Sequence, residues 1–167
     1  INCVFRWASR MNRPNVVEYL TNLKEENRNE IRFMRVLEDA VIPFKKHPSD
    51  AGYDLTIVRE HKRYNDRLVV YDTGIQIAPQ EGYYTEIIAR SSLCTQGYML
   101  ANNVGIIDNS YRGNLYIPLL QIDPNSKPIT LPFRCCQLIL RSQYDTELCE
   151  EKLDETVRGD GGFGSTG

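Results

Sequence analysis

The stretch Arg67-Leu-Val-Val-Tyr-Asp-Thr-Gly-Ile-Gln-Ile77 indicates the fold class of this chain. Val, Ile and Tyr favour β-strands, and Asp72–Gly74 supplies residues that are typical of turns. Similar runs recur at Tyr83–Ile88, Leu115–Gln121 and Cys135–Leu140, again separated by Gly, Pro, Asn and Asp. Many short strands with frequent turns, and no alternating helices, predict an all-β sandwich, jelly roll or barrel.

The N-terminal segment has a different pattern. Val16, Leu20 and Leu23 recur at helical spacing, so the sequence predicts a short amphipathic helix within residues 15–30. We expect this helix to pack on the β domain or on a neighbouring subunit. The predicted organisation is an N-terminal extension, a β domain and a C-terminal segment, at residues 1–30, 31–157 and 158–167.

Composition and charge restrict the partners. The 167-residue chain has a net charge of −2 and no sustained basic run, so we expect no nucleic-acid partner. No apolar run reaches the length of a membrane span, so we expect no membrane partner. Because the sequence begins with Ile1 rather than Met, we expect it to come from a longer product.

The cysteines predict a reducing environment. There are five, without a C-x-x-C pair. Cys135 and Cys136 are adjacent, and neighbours in a regular strand point to opposite faces, which argues against a disulfide framework. We therefore expect reduced thiols in an intracellular compartment, either cytoplasm or nucleus.

The last ten residues, Arg158-Gly-Asp-Gly-Gly-Phe-Gly-Ser-Thr-Gly167, predict a segment that closes over a nucleotide. Their glycines allow the backbone to approach a ligand closely. Arg158 can pair with phosphate, Ser165 and Thr166 can donate to phosphate oxygens, and Phe163 can stack on a flat ring. In the given sequence no helix follows the G-x-G-x-x-G spacing, so we do not expect a Rossmann fingerprint. A flexible Gly-rich tail without a ligand is the alternative.

Four further segments in the β region carry polar side chains among glycines or apolar residues. Each polar residue has an ordinary structural interpretation, such as a turn for Asp54 or Asp108, or an ion pair for Arg90. The order of the four segments along the chain distinguishes them from isolated turns and ion pairs. The segments are Ser49–Leu55, Ala89–Leu93, Gly105–Gly113 and Arg134–Ile139.

Together with the tail, these segments resemble the five motifs of the homotrimeric dUTP diphosphatase (dUTPase) family. The third, Gly-Ile-Ile-Asp-x-x-Tyr-Arg-Gly, and the last, Arg-Gly-x-Gly-Gly-Phe-Gly-Ser-Thr-Gly, are highly specific. The resemblance covers roughly residues 31–167. It implies a β jelly roll, a homotrimer whose active sites are shared by three chains, and a C-terminal lid.

The resemblance also implies the reaction, which is Mg²⁺-assisted hydrolysis of dUTP to dUMP and pyrophosphate. This reaction limits uracil in DNA and supplies dUMP for thymidylate synthesis. Asp108 matches the general base that activates the water attacking the α-phosphorus, and an ordinary Asp is ionised at neutral pH. Tyr111 would lie against the deoxyribose and exclude a 2′-hydroxyl.

The remaining site residues follow from the same motifs. Asn102 and the backbone of the following residues, including Gly105 and Ile107, would form a hairpin that reads the uracil edge. Asp54 would meet Mg²⁺ through water, because Mg²⁺ keeps waters while phosphates supply most ligands. The other residues implied to bind substrate are Arg90, Ser91, Ser92, Gln137, Arg158, Phe163, Gly164, Ser165 and Thr166.

Two departures and two alternatives accompany this interpretation. Ser110 stands where the family usually has a second acid, and Ser92 where Gly is commoner.

The dCTP deaminases share the fold and an Arg-Ser-Ser-Leu segment, but they need a Glu five residues after the third motif, where this chain has Pro118. A non-catalytic dUTPase-like binding or regulatory protein is the other alternative, motivated by residues 1–30.

Overall fold

The computed structural model describes residue 11, residues 15–20 and residues 29–162. Residues 15–20 are helical (α1), within the segment for which a helix is predicted, and Leu20 is buried. Residues 21–28 of that segment lie outside the described residues. In the part of the chain that the structure describes, no helix is long and apolar enough to cross a membrane.

The regular structure of the β domain consists almost entirely of short antiparallel strands, so the all-β prediction is confirmed. In chain order the elements are β1 (Ile31–Arg35), β2 (Tyr53–Ile57), β3 (Arg59–Arg63), β4 (Leu68–Asp72), β5 (Ile75–Pro79), β6 (Tyr83–Ala89), α2 (Ser91–Thr95), β7 (Tyr98–Leu100), β8 (Val104–Ile107), β9 (Tyr116–Gln121) and β10 (Phe133–Ser142). They make a two-stranded sheet, β1-β5, and two four-stranded sheets, β2-β10-β6-β8 and β3-β4-β9-β7.

Both four-stranded sheets contribute to one apolar core. Along β5 the burial alternates, with Ile75 and Ile77 almost fully buried. Such alternation means that one face of the strand packs inward while the other stays partly open. The core is completed by Leu55, Ile57, Ile87, Leu93, Leu115, Ile117 and Leu119.

The predicted Asp72–Gly74 turn joins β4 to β5. Gly74 has a φ of +65°, which favours glycine. An added Cβ there would lie 2.8 Å from the Leu37 Cβ atom, so glycine is also required by packing. The hydroxyl of Thr73 donates to the carbonyl oxygen of Leu115 at 2.9 Å, which ties the turn to the segment leading into β9.

The adjacent cysteines depart from regular strand alternation. A register shift between Arg134 and Cys136 marks a β-bulge in β10, and Cys135 and Cys136 are both buried. A hydrogen bond with Cys136, together with burial, raises the pKa of the Cys135 thiol well above its usual range, so this thiol stays protonated and unreactive. Among the described residues, the free cysteines are Cys94, Cys135, Cys136 and Cys149.

Candidate functional site

A nearly buried carboxylate connects three of the predicted segments. Asp54, on β2, is 8% exposed. Its Oδ1 atom lies 3.0 Å from Nε of Arg90 and accepts a hydrogen bond from Nε2 of Gln137 at 3.3 Å. Its Oδ2 atom lies 3.3 Å from Nη1 of Arg134. Both carboxylate oxygens therefore face positive or hydrogen-bonding groups, which compensates the cost of burying the charge.

The register of β10 produces this cluster. Gln137 lies opposite Asp54 on one side and opposite Ile88 of β6 on the other. Arg90 follows β6 directly, and its backbone N–H donates to the carbonyl oxygen of Cys135 at 2.9 Å. Residues distant in sequence thus meet because β10 lies between β2 and β6.

Arg134 is a member of this cluster that the sequence did not predict as a site residue. Its guanidinium lies 5.4 Å from the ring centroid of Phe44, a cation–π geometry. The signal that could have found it is its place in the same segment as Gln137. With two guanidinium groups, of Arg90 and Arg134, against the single carboxylate of Asp54, the cluster has a net positive charge beside the short helix α2.

The two predicted serines lie at the start of α2. Their backbone carbonyls accept bonds from the Cys94 thiol, at 3.1 Å to Ser91, and from the Thr95 hydroxyl, at 2.9 Å to Ser92. Within residues 29–162 neither serine hydroxyl has a protein hydrogen-bond partner. These hydroxyls are therefore available for a ligand next to Arg90.

Asp108 and Tyr111 share one turn after β8. The N–H of Tyr111 donates to the Asp108 carbonyl oxygen at 3.1 Å. The side-chain amide of Asn109 donates to the carbonyl oxygens of Gln80 at 2.9 Å and of Tyr83 at 2.7 Å, so it anchors this turn to the β5–β6 connection. The exposed Asp108 borders a cleft of about 840 Å³ with Ser110, Tyr84, Tyr144 and Asp145 among its lining residues.

The Tyr111 ring has a defined position. Its hydroxyl donates to the carbonyl oxygen of Asn114 at 3.0 Å. Burial raises the pKa of Tyr111, so the hydroxyl remains a donor at neutral pH. An added Cβ at Gly113 would lie 2.6 Å from Cζ of Tyr111, so a larger residue at 113 would displace the ring.

The predicted uracil-reading segment is a turn between the two sheets. The N–H of Asn103 donates to the carbonyl oxygen of Leu100 at 3.1 Å, and Asn103 has a φ of 58°, a conformation that Asn tolerates. β7 pairs with β9 whereas β8 pairs with β6, so this turn connects the two sheets, and its role in reading uracil stays a prediction. Gly105 lies opposite Ile87, and an added Cβ would lie 3.3 Å from both Cβ of Ile87 and Nδ2 of Asn102, so these neighbours would have to shift slightly.

The Asp54 cluster and Asp108 lie at opposite ends of β6. Thr85 is opposite Ile107, so Asp108 lies beside Tyr84, six residues before Arg90 along the chain. At roughly 3.3 Å per residue, the separation is about 20 Å. One chain therefore does not bring the predicted base to the predicted phosphate-binding residues.

The C-terminal segment extends away from regular structure. Residues 143–162 contain no strand or helix, and Leu148, Leu153 and Val157 are almost fully exposed. Nε of Arg158 donates to the carbonyl oxygen of Gly161 at 3.0 Å, and no other predicted site residue contacts it among the described residues. The predicted residues Phe163, Gly164, Ser165 and Thr166 lie outside the described residues.

Replacing Gly52 with Ala is expected to destabilise the sheet that carries the Asp54 cluster. The added Cβ would lie 3.0 Å from Cβ of Gln137 and 3.0 Å from Cγ1 of Ile139. The strands must therefore shift, and the free energy of unfolding should fall by about 1–3 kcal/mol. Urea denaturation at fixed protein concentration measures this change.

Gly162→Ala is the matched control, because among the described residues the nearest atom to its added Cβ is the Asp160 carbonyl oxygen, at 4.0 Å. This control should leave the unfolding free energy unchanged. Equal stability of Gly52→Ala and the unaltered protein would show that Gln137 and Ile139 do not constrain residue 52.

Comparison with known proteins places this arrangement in context. The family model for dUTPase matches residues 38–167. A deoxyuridine 5′-triphosphate nucleotidohydrolase from Wolinella succinogenes is 35% identical over 147 residues, which are 87% of this chain and 99% of that protein. A mutant dUTPase of Staphylococcus bacteriophage 80alpha with dUpNHpp has a TM-score of 0.70 at 23% identity, covering 84% of this chain and 99% of that chain.

A second solved structure also shares the fold. It is a mutant dUTPase from phage phi11 of S. aureus, described with a structural Mg(II) ion. Its TM-score is 0.61 at 21% identity, and the match covers 77% of this chain and 100% of that chain. At these identities the structural likeness establishes the fold.

Proposed function

This chain belongs to the dUTPase family, and from that membership we propose that it hydrolyses dUTP to dUMP and pyrophosphate. The observation that carries the proposal is the cluster of Asp54, Arg90 and Gln137, which unites three separate motifs in one place. A domain that had lost its catalytic role would not need this combination beside two serine hydroxyls without protein partners. The reaction would supply dUMP for thymidylate synthesis. Because it removes dUTP, it would also limit uracil in DNA.

The phosphate-binding part of the proposed site is the start of α2. Arg90 provides the charge, and Ser91 and Ser92 provide hydroxyl donors to phosphate oxygens. Gln137 supports Arg90 indirectly, because both contact the same oxygen of Asp54. These side chains would fix the phosphates, and positioning supplies much of the catalysis of phosphoryl transfer.

The side chains present could hold Mg²⁺ only if the phosphates of the substrate supplied most of its ligands. Both Asp54 oxygens already face Arg90, Arg134 or Gln137, so this carboxylate is not open for direct coordination. Residues 29–162 also contain no group of three or more His, Cys, Asp or Glu suited to a metal. When bound, Mg²⁺ would neutralise phosphate charge, and Asp54 would contact it through water.

Asp108 would act as the general base and Tyr111 as the sugar-discriminating ring. The Asp108 carboxylate is exposed on a turn anchored by Asn109, where it can accept a proton from water. The Tyr111 ring would lie flat against the deoxyribose and leave no space for a 2′-hydroxyl.

Backbone groups of β8 would read the uracil. Within the described sheet, β8 lies at the edge and pairs on one side with β6. An edge strand leaves alternate N–H and C=O groups unpaired on its outer side. The segment from Asn102 through Gly105 to Ile107 can therefore present donors and acceptors in fixed order to a base.

The site would be completed by other copies of the chain. The separation of about 20 Å between Arg90 and Asp108 requires a second copy to bring both to one nucleotide. The exposed apolar side chains Ile106 and Val104 provide a surface suited to subunit contact. A homotrimer with the C-terminal segment as a lid accounts for both features, and Phe163, Gly164, Ser165 and Thr166 would act in that lid with Arg158.

Pyrophosphate release from dUTP with Mg²⁺ tests the proposal. We expect release from dUTP and at least 100-fold slower release from dCTP, dTTP and UTP, because the site would read both the base and the sugar. Inorganic pyrophosphate is measured at matched nucleotide concentrations. No release from any nucleotide, with dUTP still bound, would instead favour a non-catalytic binding or regulatory protein.

A further inference from the structure

Asp72 is a buried carboxylate for which the proposed reaction has no role. It ends β4, is fully buried, and lies outside every segment that indicated a function. Nε and Nη2 of Arg59 donate to its Oδ2 atom at 3.2 and 2.8 Å. The N–H of Gly74 donates to its Oδ1 atom at 2.8 Å. These donors stabilise the charge of Asp72. The remaining contacts of its carboxylate connect it to the candidate site.

Those remaining contacts are made with Asn114. Nδ2 of Asn114 lies 3.1 Å from each oxygen of Asp72, and Oδ1 of Asn114 accepts a bond from Nε2 of Gln76 at 3.0 Å. The Asn114 side chain is therefore held from both ends. Its backbone carbonyl is the acceptor for the hydroxyl of Tyr111.

The charge of Asp72 is maintained at neutral pH. Burial opposes ionisation, but hydrogen bonds from Gly74, Arg59 and Asn114 outweigh it, and the pKa of Asp72 lies below its ordinary value. An ionised carboxylate accepts from all these donors at once. An Asn at position 72 would place an N–H₂ group where Asp72 has an acceptor oxygen. That group would face the donors of Arg59, Gly74 or Asn114, and the hydrogen bonds at that oxygen would be lost.

We propose that Asp72 is a positioning residue for sugar selection, which acts through Asn114 to hold the Tyr111 ring against the nucleotide. The proposal rests on the proposed function, in which Tyr111 excludes the 2′-hydroxyl. The ring is fixed at its tip by the Asn114 carbonyl and crowded on one side by Gly113. Release of the tip lets the ring move, and space for a ribose then opens.

The test compares kcat/KM for dUTP and UTP in four proteins: unaltered, Asp72→Asn, Tyr111→Phe and the double variant. We expect Asp72→Asn to lower the dUTP/UTP ratio about tenfold or more, chiefly by improving relative use of UTP. Tyr111→Phe keeps the ring but removes the hydroxyl, so it should produce a similar loss. Because both changes break one connection, the double variant should lose little more than either single variant.

Two further variants separate positioning from stability. Thr73→Val removes two buried bonds of the hydroxyl in the same turn, to the Leu115 carbonyl oxygen and from the Ile75 N–H, but leaves Asp72 and Asn114 in contact, and it should keep the dUTP/UTP ratio. Asn114→Ala removes the side chain that Asp72 holds, and it should lower the ratio as Asp72→Asn does. This variant provides the same test if Asp72→Asn does not fold.

The outcomes are distinct. An unchanged ratio in Asp72→Asn or Asn114→Ala, or multiplied losses in the double variant, would overturn the positioning role while the unaltered protein still hydrolyses dUTP. An equal loss in Thr73→Val would show general loosening of the turn and would also overturn it. An unaltered protein without pyrophosphate release would overturn the proposed function and this inference together.

Discussion

Asp108→Asn is expected to lower kcat for dUTP by roughly 10²–10⁴-fold, because the amide cannot take the proton of the attacking water. The side chain is exposed, and among the described residues the turn is held by the backbone bond between Tyr111 and Asp108 and by the Asn109 side chain, not by the Asp108 carboxylate. The substitution should therefore leave the fold and dUTP binding intact. Single-turnover release of pyrophosphate, with dUTP affinity measured in parallel, checks both expectations.

Asp145→Asn is the matched control for that prediction. Asp145 lines the same cleft as Asp108 but lies outside the turn that carries Tyr111. Its replacement should leave turnover within about threefold of normal, as expected for an exposed residue without a role in the reaction. Near-normal turnover of Asp108→Asn would remove Asp108 from the mechanism.

Deletion of residues 158–167 is expected to leave a folded protein, with its proposed trimeric state unchanged, that has little activity. The described part of the deleted segment, residues 158–162, is exposed or nearly so and adds nothing to the core. Loss of Arg158 and the lid removes groups that would bind the terminal phosphates and exclude water from the reaction. We expect at least a 100-fold fall in kcat/KM for dUTP, measured by pyrophosphate release beside size-exclusion chromatography.

Deletion of residues 1–10 is the control of equal length at the other end, and it should retain activity because the family match begins at residue 38. A mixing experiment adds a second control. Chains with Asp108→Asn and chains without the tail should regain activity when they assemble together, if base and lid come from different chains. Full activity of the tail-deleted protein alone would show that the lid assignment is wrong.

The β pattern of the sequence predicted the larger part of the fold. The Val-rich and Ile-rich runs became β4, β5, β6, β9 and β10, because strand propensity and turn residues there agree with tertiary packing. α2 was not predicted, since a five-residue helix shows too little periodicity to be recognised. The separate pairing of β7 and β8 was not predicted either, because a turn sequence does not reveal whether its flanking strands pair with each other or with separate sheets.

The candidate site was less accessible to sequence reasoning. Motif order identified Asp54, Arg90 and Gln137, and the structure brings them together. Arg134 and Asp72 depend on contacts set by strand register, which sequence spacing does not contain. The roles of Asp108, Tyr111 and the tail stay predictions, since the described part of one chain does not assemble them with the residues predicted to bind phosphate.

The edge position of β8 has a consequence for evolutionary change in this protein. If its main chain reads the base, recognition resides in backbone groups that every amino acid except proline supplies. Substitutions of Val104 and Ile106 would then leave the choice of base unaffected, so these outward-facing positions can adapt to a neighbouring subunit. Gly105 differs, because a side chain there would meet Ile87 and Asn102. We therefore expect amino-acid variation among related proteins to alternate along this strand. Positions 104 and 106 should accept many residues, whereas position 105 should stay glycine.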